Sequence, residues 1–294
     1  MPQLTIQFFG KPQIHVDGMP LESLVSQKAR AALFYLAAHR GMISRSQLAG
    51  LLWSDMEESA ARANLRVVIS KLKAELAEFL VINRREIGLD PAKNLPFSID
   101  QFLQSDDFRE VVNIYSGSFL HGFDLEDGSL FSDWVGAQRA RCQQKAIDAY
   151  VRLATDGIKL ERFQQAIADL RQLLLLDPWR EEAHRQLMLV YAQTGNRGAA
   201  LSQFEKCAQA LRQGLDIEPS AETNALYERI KQEEIGPTVE TGANSRNHEG
   251  ASLNVNLPPH NLPLHPLNFI GRSAELAQVV SLLEGSESLS LIHI

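Results

Sequence analysis

The chain has 294 residues, enough for about two domains of ordinary size. Its 45% hydrophobic and 22% charged residues exclude a disordered or membrane-embedded class. The net charge of -7 argues against a nucleic-acid partner until it is divided along the sequence: residues 1–95 hold twelve Lys/Arg against nine Asp/Glu, and the remainder holds 17 against 27, so the basic surplus lies at the front.

The N-terminus alternates Leu4, Ile6 and Phe8 rather than placing a basic stretch before an apolar helix, and no apolar run reaches bilayer length. Cys142 and Cys207 lack metal-ligand spacing. These features point to a cytoplasmic protein with no membrane partner, disulfide framework or zinc site.

Leu4-Thr-Ile-Gln-Phe-Phe and Gln13-Ile-His-Val alternate apolar and polar residues, separated by a Gly10-Lys-Pro turn and followed by Asp17-Gly18, which predicts a small antiparallel sheet. From Ser26 the period becomes helical, with Ala29, Leu33, Leu36 and Ala37 on one face and Gly41 as the expected stop. Ser44 is a good N-cap for a short second helix through Leu48, Leu51 and Leu52. A third helix is expected over residues 57–79, its acidic start suiting the positive end of the helix dipole and its seam formed by Leu65, Ile69, Leu72 and Leu76. Leu80-Val-Ile and Ile87-Gly-Leu flank the tip Asn83-Arg84-Arg85-Glu86, which predicts a hairpin over residues 80–89. Three helices and a hairpin make a winged helix-turn-helix domain over residues 1–95.

Beyond Pro91 and Pro96 the pattern is helical as far as Ile235. Ala166, Leu170 and Pro178 precede Tyr191 and Gly195, and Ala200 and Phe204 follow Ala166 and Leu170 at 34 residues, the tetratricopeptide period. The expected fold class is therefore mainly α: a winged helix-turn-helix with a small β-sheet, then an all-α tetratricopeptide-like domain over residues 96–235. Trp134, Tyr150, Trp179, Tyr191 and Phe204 read either as core fillers or as parts of a concave partner-binding surface, with core filling favoured for each. Residues 236–266, rich in Pro, Gly and Asn, are expected to be a disordered linker, and another helical pattern begins near Phe269.

The third helix carries the chemistry. Opposite its seam lie Ala63, Arg66, Val67 and Ser70, with Asn64, Lys71 and Lys73 at the margins. A recognition helix needs small residues for close approach, Arg for guanine or phosphate, and an apolar group for the thymine methyl. Arg62, Arg66, Lys71 and Lys73 can neutralise phosphates, and Arg84 and Arg85 at the hairpin tip suit a minor groove or the backbone. The alternative for each group is a solvated helix face and a solvated turn. No catalytic constellation has usable spacing: the eight histidines form no metal pair, Ser118 lacks the nucleophile-elbow pattern, and Asp106 and Asp107 read as stabilisers of a helix start. The sequence predicts no enzyme, metal or cofactor in these residues.

Taken together, Phe9-Gly10, Asp17-Gly18, Gln27-Lys-Ala-Arg-Ala-Ala-Leu, Leu48-Ala-Gly-Leu-Leu-Trp53 and Ala63-Asn-Leu-Arg-Val-Val-Ile-Ser-Lys-Leu-Lys resemble the bacterial transcriptional activator domain regulators, the group that includes the antibiotic regulatory proteins. Gly117-Ser-Phe-Leu, Trp134, Leu176-Asp-Pro, Glu182-Ala-His-Arg-Gln-Leu-Met and Ile217-Glu-Pro-Ser look like that group's helical domain, so the resemblance spans about residues 3–233. It implies binding of double-stranded promoter DNA at direct repeats through the third helix and wing, with the helical domain as a packing or homo-oligomerisation partner and RNA polymerase as a further candidate partner. One departure is the wing, where Arg84-Arg85-Glu86-Ile87 stands in place of a frequent Gly-Tyr pair.

Phe269-Ile-Gly-Arg with Glu275-Leu276 looks like the entry to the nucleotide-binding domain of signal-transduction ATPases with numerous domains, over residues 267–294. No Gly-rich phosphate loop follows, so the resemblance implies ATP only for a longer parent protein. Leu289-Ser-Leu-Ile-His-Ile resembles a translated sequencing-adapter end, which implies an artificial truncation. The rival to a DNA-binding regulator is a protein-interaction scaffold built on the helical repeats, with the front domain as a docking module that does not bind DNA.

Overall fold

The alternating N-terminal residues form a three-stranded antiparallel meander: β1 (Leu4–Gln7), β2 (Gln13–Val16) and β3 (Met19–Pro20). The computed structural model describes residues 2–93, 95 and 97–236; apart from Gly236, the expected linker and the 267–294 segment lie outside the described residues. In β1, Leu4 and Ile6 are buried while Thr5 and Gln7 face out. Asp17 and Gly18 both take positive φ, 50° and 78°, the geometry a two-residue hairpin needs between Val16 and Met19.

Ser26, where the helical period begins, caps α1 (Gln27–His39) by accepting from the Ala29 N–H. The expected stop at Gly41 is corrected: Arg40 takes the left-handed conformation, with φ 63°, and sends its N–H back to the Leu36 carbonyl. That conformation is strained for a residue with a Cβ. Tertiary contacts hold it there, because the Arg40 guanidinium bonds the Asp100 carboxylate and the Leu95 carbonyl and lies 4.3 Å from the Phe97 ring centre.

The short strand β4 (Ile43–Ser44) leads into α2 (Arg45–Leu52), α3 (Glu58–Leu76) and the hairpin β5 (Leu80–Ile82) and β6 (Glu86–Leu89), whose sheet order is β4-β6-β5. The third helix ends three residues before the expected Phe79: Leu76 leaves helical geometry and Ala77–Phe79 form a 3-10 turn that delivers the buried Phe79 and Leu80 to the core. These elements are a winged helix-turn-helix.

Seven helices follow among the described residues: α4 (Ser98–Gln104), α5 (Phe108–Ile114), α6 (Ser129–Lys159), α7 (Phe163–Leu176), α8 (Glu181–Gln193), α9 (Arg197–Leu215) and α10 (Ala221–Lys231). Asp107 caps α5, accepting from the N–H groups of Arg109 and Glu110. Two apolar clusters divide the described residues. The first runs from Leu4 to Ala149 and joins the sheet, α1–α3, α4, α5 and the first half of α6; the second joins the end of α6 to α7–α10. The first cluster crosses the 95/96 position, with Phe8 stacked on Phe119 at 5.6 Å and Phe9 against Phe102 at 4.6 Å. Backbone bonds reinforce it, since Leu120 donates to the Phe8 carbonyl and Gly10 to that of Ser118.

In the repeats, Ala166, Leu170 and Ala200 are fully buried, the Tyr191 hydroxyl accepts from Arg171, and Phe204 stacks on Tyr227 at 4.2 Å. Trp134 and Tyr150 are partly buried against the core. The core-filler reading of Trp179 is corrected: it is 47% exposed and packs across Gly214 on the surface. No helix among the described residues is long and apolar enough to cross a membrane.

Candidate nucleic-acid interface

The stripe that fixes α3 is wider than its predicted seam. Ala61, Leu65, Val68, Ile69, Leu72 and Leu76 are all buried, so the helix has an unambiguous inner side, set against α1 and α2. The remaining side faces out. Arg62, Ala63, Arg66, Val67, Ser70, Lys71 and Lys73 are exposed and Asn64 is half-buried. Val67 is 55% exposed at the middle of this face. By helical spacing, Arg62, Arg66 and Lys73 form one edge of the face, Asn64 and Lys71 the other, and Val67 and Ser70 lie between.

Two predicted residues are already engaged. Arg62 pairs with Glu58 one turn back and donates to the Ser46 hydroxyl at 3.0 Å, which ties α3 to the start of α2. The Asn64 amide donates to the Met56 sulfur at 3.5 Å.

The wing turns without glycine. Neither Arg84 nor Arg85 takes a positive φ; instead the Asn83 carboxamide oxygen accepts from the N–H groups of Arg85, at 2.8 Å, and Glu86, at 2.7 Å. Such a side-chain turn replaces the mirror-image turn that Gly would supply. The tip is then fastened to the helices, because the Arg45 N–H donates to the Arg85 carbonyl at 2.8 Å and Ser44 pairs with Glu86.

Fastening the tip here creates a cleft of about 380 Å³ between α2, α3 and the wing. Arg62 and Arg66 line it from α3, Arg84 and Arg85 from the wing, and Ser44, Arg45 and Ser46 from the start of α2, over a floor of Leu65 and Ile69. Four predicted residues thus converge on one cleft, whereas Asn64, Val67, Ser70, Lys71 and Lys73 belong to the open face beside it.

Sequence reasoning missed Arg45 and Ser46. A signal was present: a cation in the first turn opposes the helix dipole, and Arg45 directly follows the Ser44 cap. Its Nε is buried without a hydrogen-bond partner among the described residues. Elsewhere, burial pushes the thiols of Cys142 and Cys207 up to about 11, which makes them poor nucleophiles.

The fold and its basic face define a winged helix-turn-helix protein carrying a helical domain, and residues 100–231 match the family described as Bacterial transcriptional activator domain. Among individual relatives, the chain is similar to the transcriptional regulatory protein MoaR1 of Mycobacterium tuberculosis, at 23% identity over 76% of this chain and 79% of that protein, and equally to MoaR1 of Mycobacterium bovis. A solved structure, Mycobacterium tuberculosis EmbR in complex with a low affinity phosphopeptide, superposes with a TM-score of 0.59 at 22% identity, covering 79% of this chain. The chain spans 66% of that EmbR chain, a little under two thirds. These comparisons support a transcriptional regulator with an EmbR-like order of winged helix and helical domain.

Proposed function

We propose that the chain is a cytoplasmic, sequence-specific regulator of transcription that lays α3 in the major groove of double-stranded promoter DNA and sets its wing on the adjacent backbone or minor groove. The observation that carries this reading is the placement of Arg66, Val67 and Ser70 on the exposed side of a helix whose other side carries a buried apolar stripe, with Arg84 and Arg85 sharing a cleft with Arg66. Arg66 can reach a guanine edge or phosphate, Val67 a thymine methyl, and Lys71, Lys73 and the wing arginines backbone phosphates. The family resemblance extends the reading to copies bound side by side on repeated half-sites and to RNA polymerase as a partner.

Fluorescence anisotropy of the full chain against promoter fragments tests it. Binding falls steeply with salt, and Arg66→Ala costs about 1–3 kcal/mol while relaxing specificity at one base position. Absence of DNA binding at low salt, or binding indifferent to Arg66→Ala, refutes the proposal.

The scaffold reading has one observation of its own, a groove of about 560 Å³ over α7–α9 lined by Leu174, Leu175 and Leu187 beside Arg171 and Lys206. It predicts a protein partner that is retained when DNA binding has been abolished.

A further inference from the structure

We infer that the cleft between α2, α3 and the wing is a preformed receptor for one phosphate group, with Arg45 as its anchor. This deepens the DNA-binding reading and rests on it for one source of the phosphate, the DNA backbone; the other source is free inorganic phosphate.

Five guanidinium-bearing residues, Arg45, Arg62, Arg66, Arg84 and Arg85, line this one cleft, and no carboxylate lines it. Glu58 pairs with one of the five, Arg62, and the other four have no ion-pair partner among the described residues. Cations gathered in this way repel, and an oxyanion among them removes that cost while satisfying N–H donors in charge-assisted bonds. Arg45 adds a second, independent sign. It opens α2 where the dipole favours an anion, and its buried Nε is an unused donor among the described residues. The planar fork of arginine matches phosphate oxygens in a way that a lysine point charge does not. The bond from the Arg45 N–H to the Arg85 carbonyl fixes the wing tip against α2, so the cleft is assembled before any ligand arrives.

The site differs in kind from the open face of α3. Arg45 confers affinity without sequence preference, whereas Val67 and Ser70 confer preference.

The test uses the full chain with Arg45→Met, which keeps the apolar stem, and Arg45→Lys, which keeps the charge but loses the fork. In the DNA arm, Arg45→Met weakens binding to specific and scrambled duplexes alike, roughly tenfold, and lowers the slope of log affinity against log salt by about one. Arg45→Lys lies between Met and wild type. In the second arm, without DNA, inorganic phosphate raises the melting temperature of the wild type above that in chloride at matched ionic strength, and Arg45→Met abolishes the rise. A positive DNA arm with a flat phosphate arm assigns the site to backbone phosphodiester, and the converse assigns it to the free ion. Where no DNA binds at all yet phosphate stabilises through Arg45, the receptor stands and the regulator reading falls. Where DNA binds but neither its affinity, its salt slope nor the phosphate response depends on Arg45, the receptor is overturned and the regulator reading stands. If Arg45→Met fails to fold by circular dichroism, Arg45→Lys decides: unchanged binding and unchanged phosphate response overturn the proposal.

Discussion

Arginine is used in two opposite ways at the two ends of the described chain. In the helical region Arg109, Arg180, Arg185, Arg197, Arg212 and Arg229 each face a carboxylate within 4 Å. At the front, Arg45, Arg66, Arg84 and Arg85 form no ion pair among the described residues, although they line or rim one cleft. Some of the paired arginines join helices, as Arg109 does to Asp169 and Arg185 to Glu222, while unneutralised ones hold a field that an anion can answer. The difference teaches that net charge is a poor guide to function here: carboxylates answer many of the rear arginines, and at the front they answer Arg40 and Arg62, yet four arginines at one cleft have no carboxylate partner among the described residues.

The sharpest way to test this contrast is to remove one partner from each kind. Arg109 donates both guanidinium nitrogens to the buried Asp169 at 2.9 Å, linking α5 to α7. Asp169→Ala should lower stability by roughly 1–3 kcal/mol in urea denaturation, with DNA affinity of the folded protein unchanged; an equal loss of DNA affinity would erase the distinction between the two ends. Next in size, Arg84→Ala combined with Arg85→Ala should leave the unfolding free energy from urea denaturation within about 0.5 kcal/mol of wild type while lowering the salt slope of DNA binding by about two. A structural role for the tip would show the reverse.

The smallest effect belongs to a neutral group in the rear. Burial holds the His184 imidazole below its ordinary value of 6.5, with its Nε2 against the Pro178 carbonyl at 3.0 Å and its Nδ1 accepting from the Gln203 amide at 2.7 Å. A base whose charged form is disfavoured in the fold contributes stability that is fully present above pH 6.5 and is lost as pH falls through its lower folded value. Melting temperature should therefore decline on acidification below that point, and His184→Gln should reduce the decline. DNA binding measured at fixed pH should not respond.

Much of this was legible in the sequence wherever a local rule sufficed. Asp17-Gly18 announced a turn, Ser26 the start of a helical period, Ser44 a cap, and the leucine seam oriented α3 so that Arg66 and Ser70 had to face outward. The misses share a physical cause, contacts between residues far apart in the chain. Arg40 ends α1 in a left-handed conformation because Asp100, Leu95 and Phe97, more than fifty residues away, hold its side chain. Phe9 forms a bridge with Phe119 across 110 positions, which no periodicity encodes. Arg45 escaped notice because it lies outside the predicted recognition helix, and only the folded hairpin brings Arg85 to it.

The aromatic cluster that straddles residues 95 and 97 bears on how the molecule can be handled. Phe8, Phe9 and Phe34 are covered by Phe97, Phe102, Phe119 and Phe123, all supplied from downstream of the wing. A clone that stops after the hairpin would leave three phenyl rings bare to water, inviting inclusion bodies. The winged helix-turn-helix and the helices whose aromatic rings cover it must be expressed and purified as one piece.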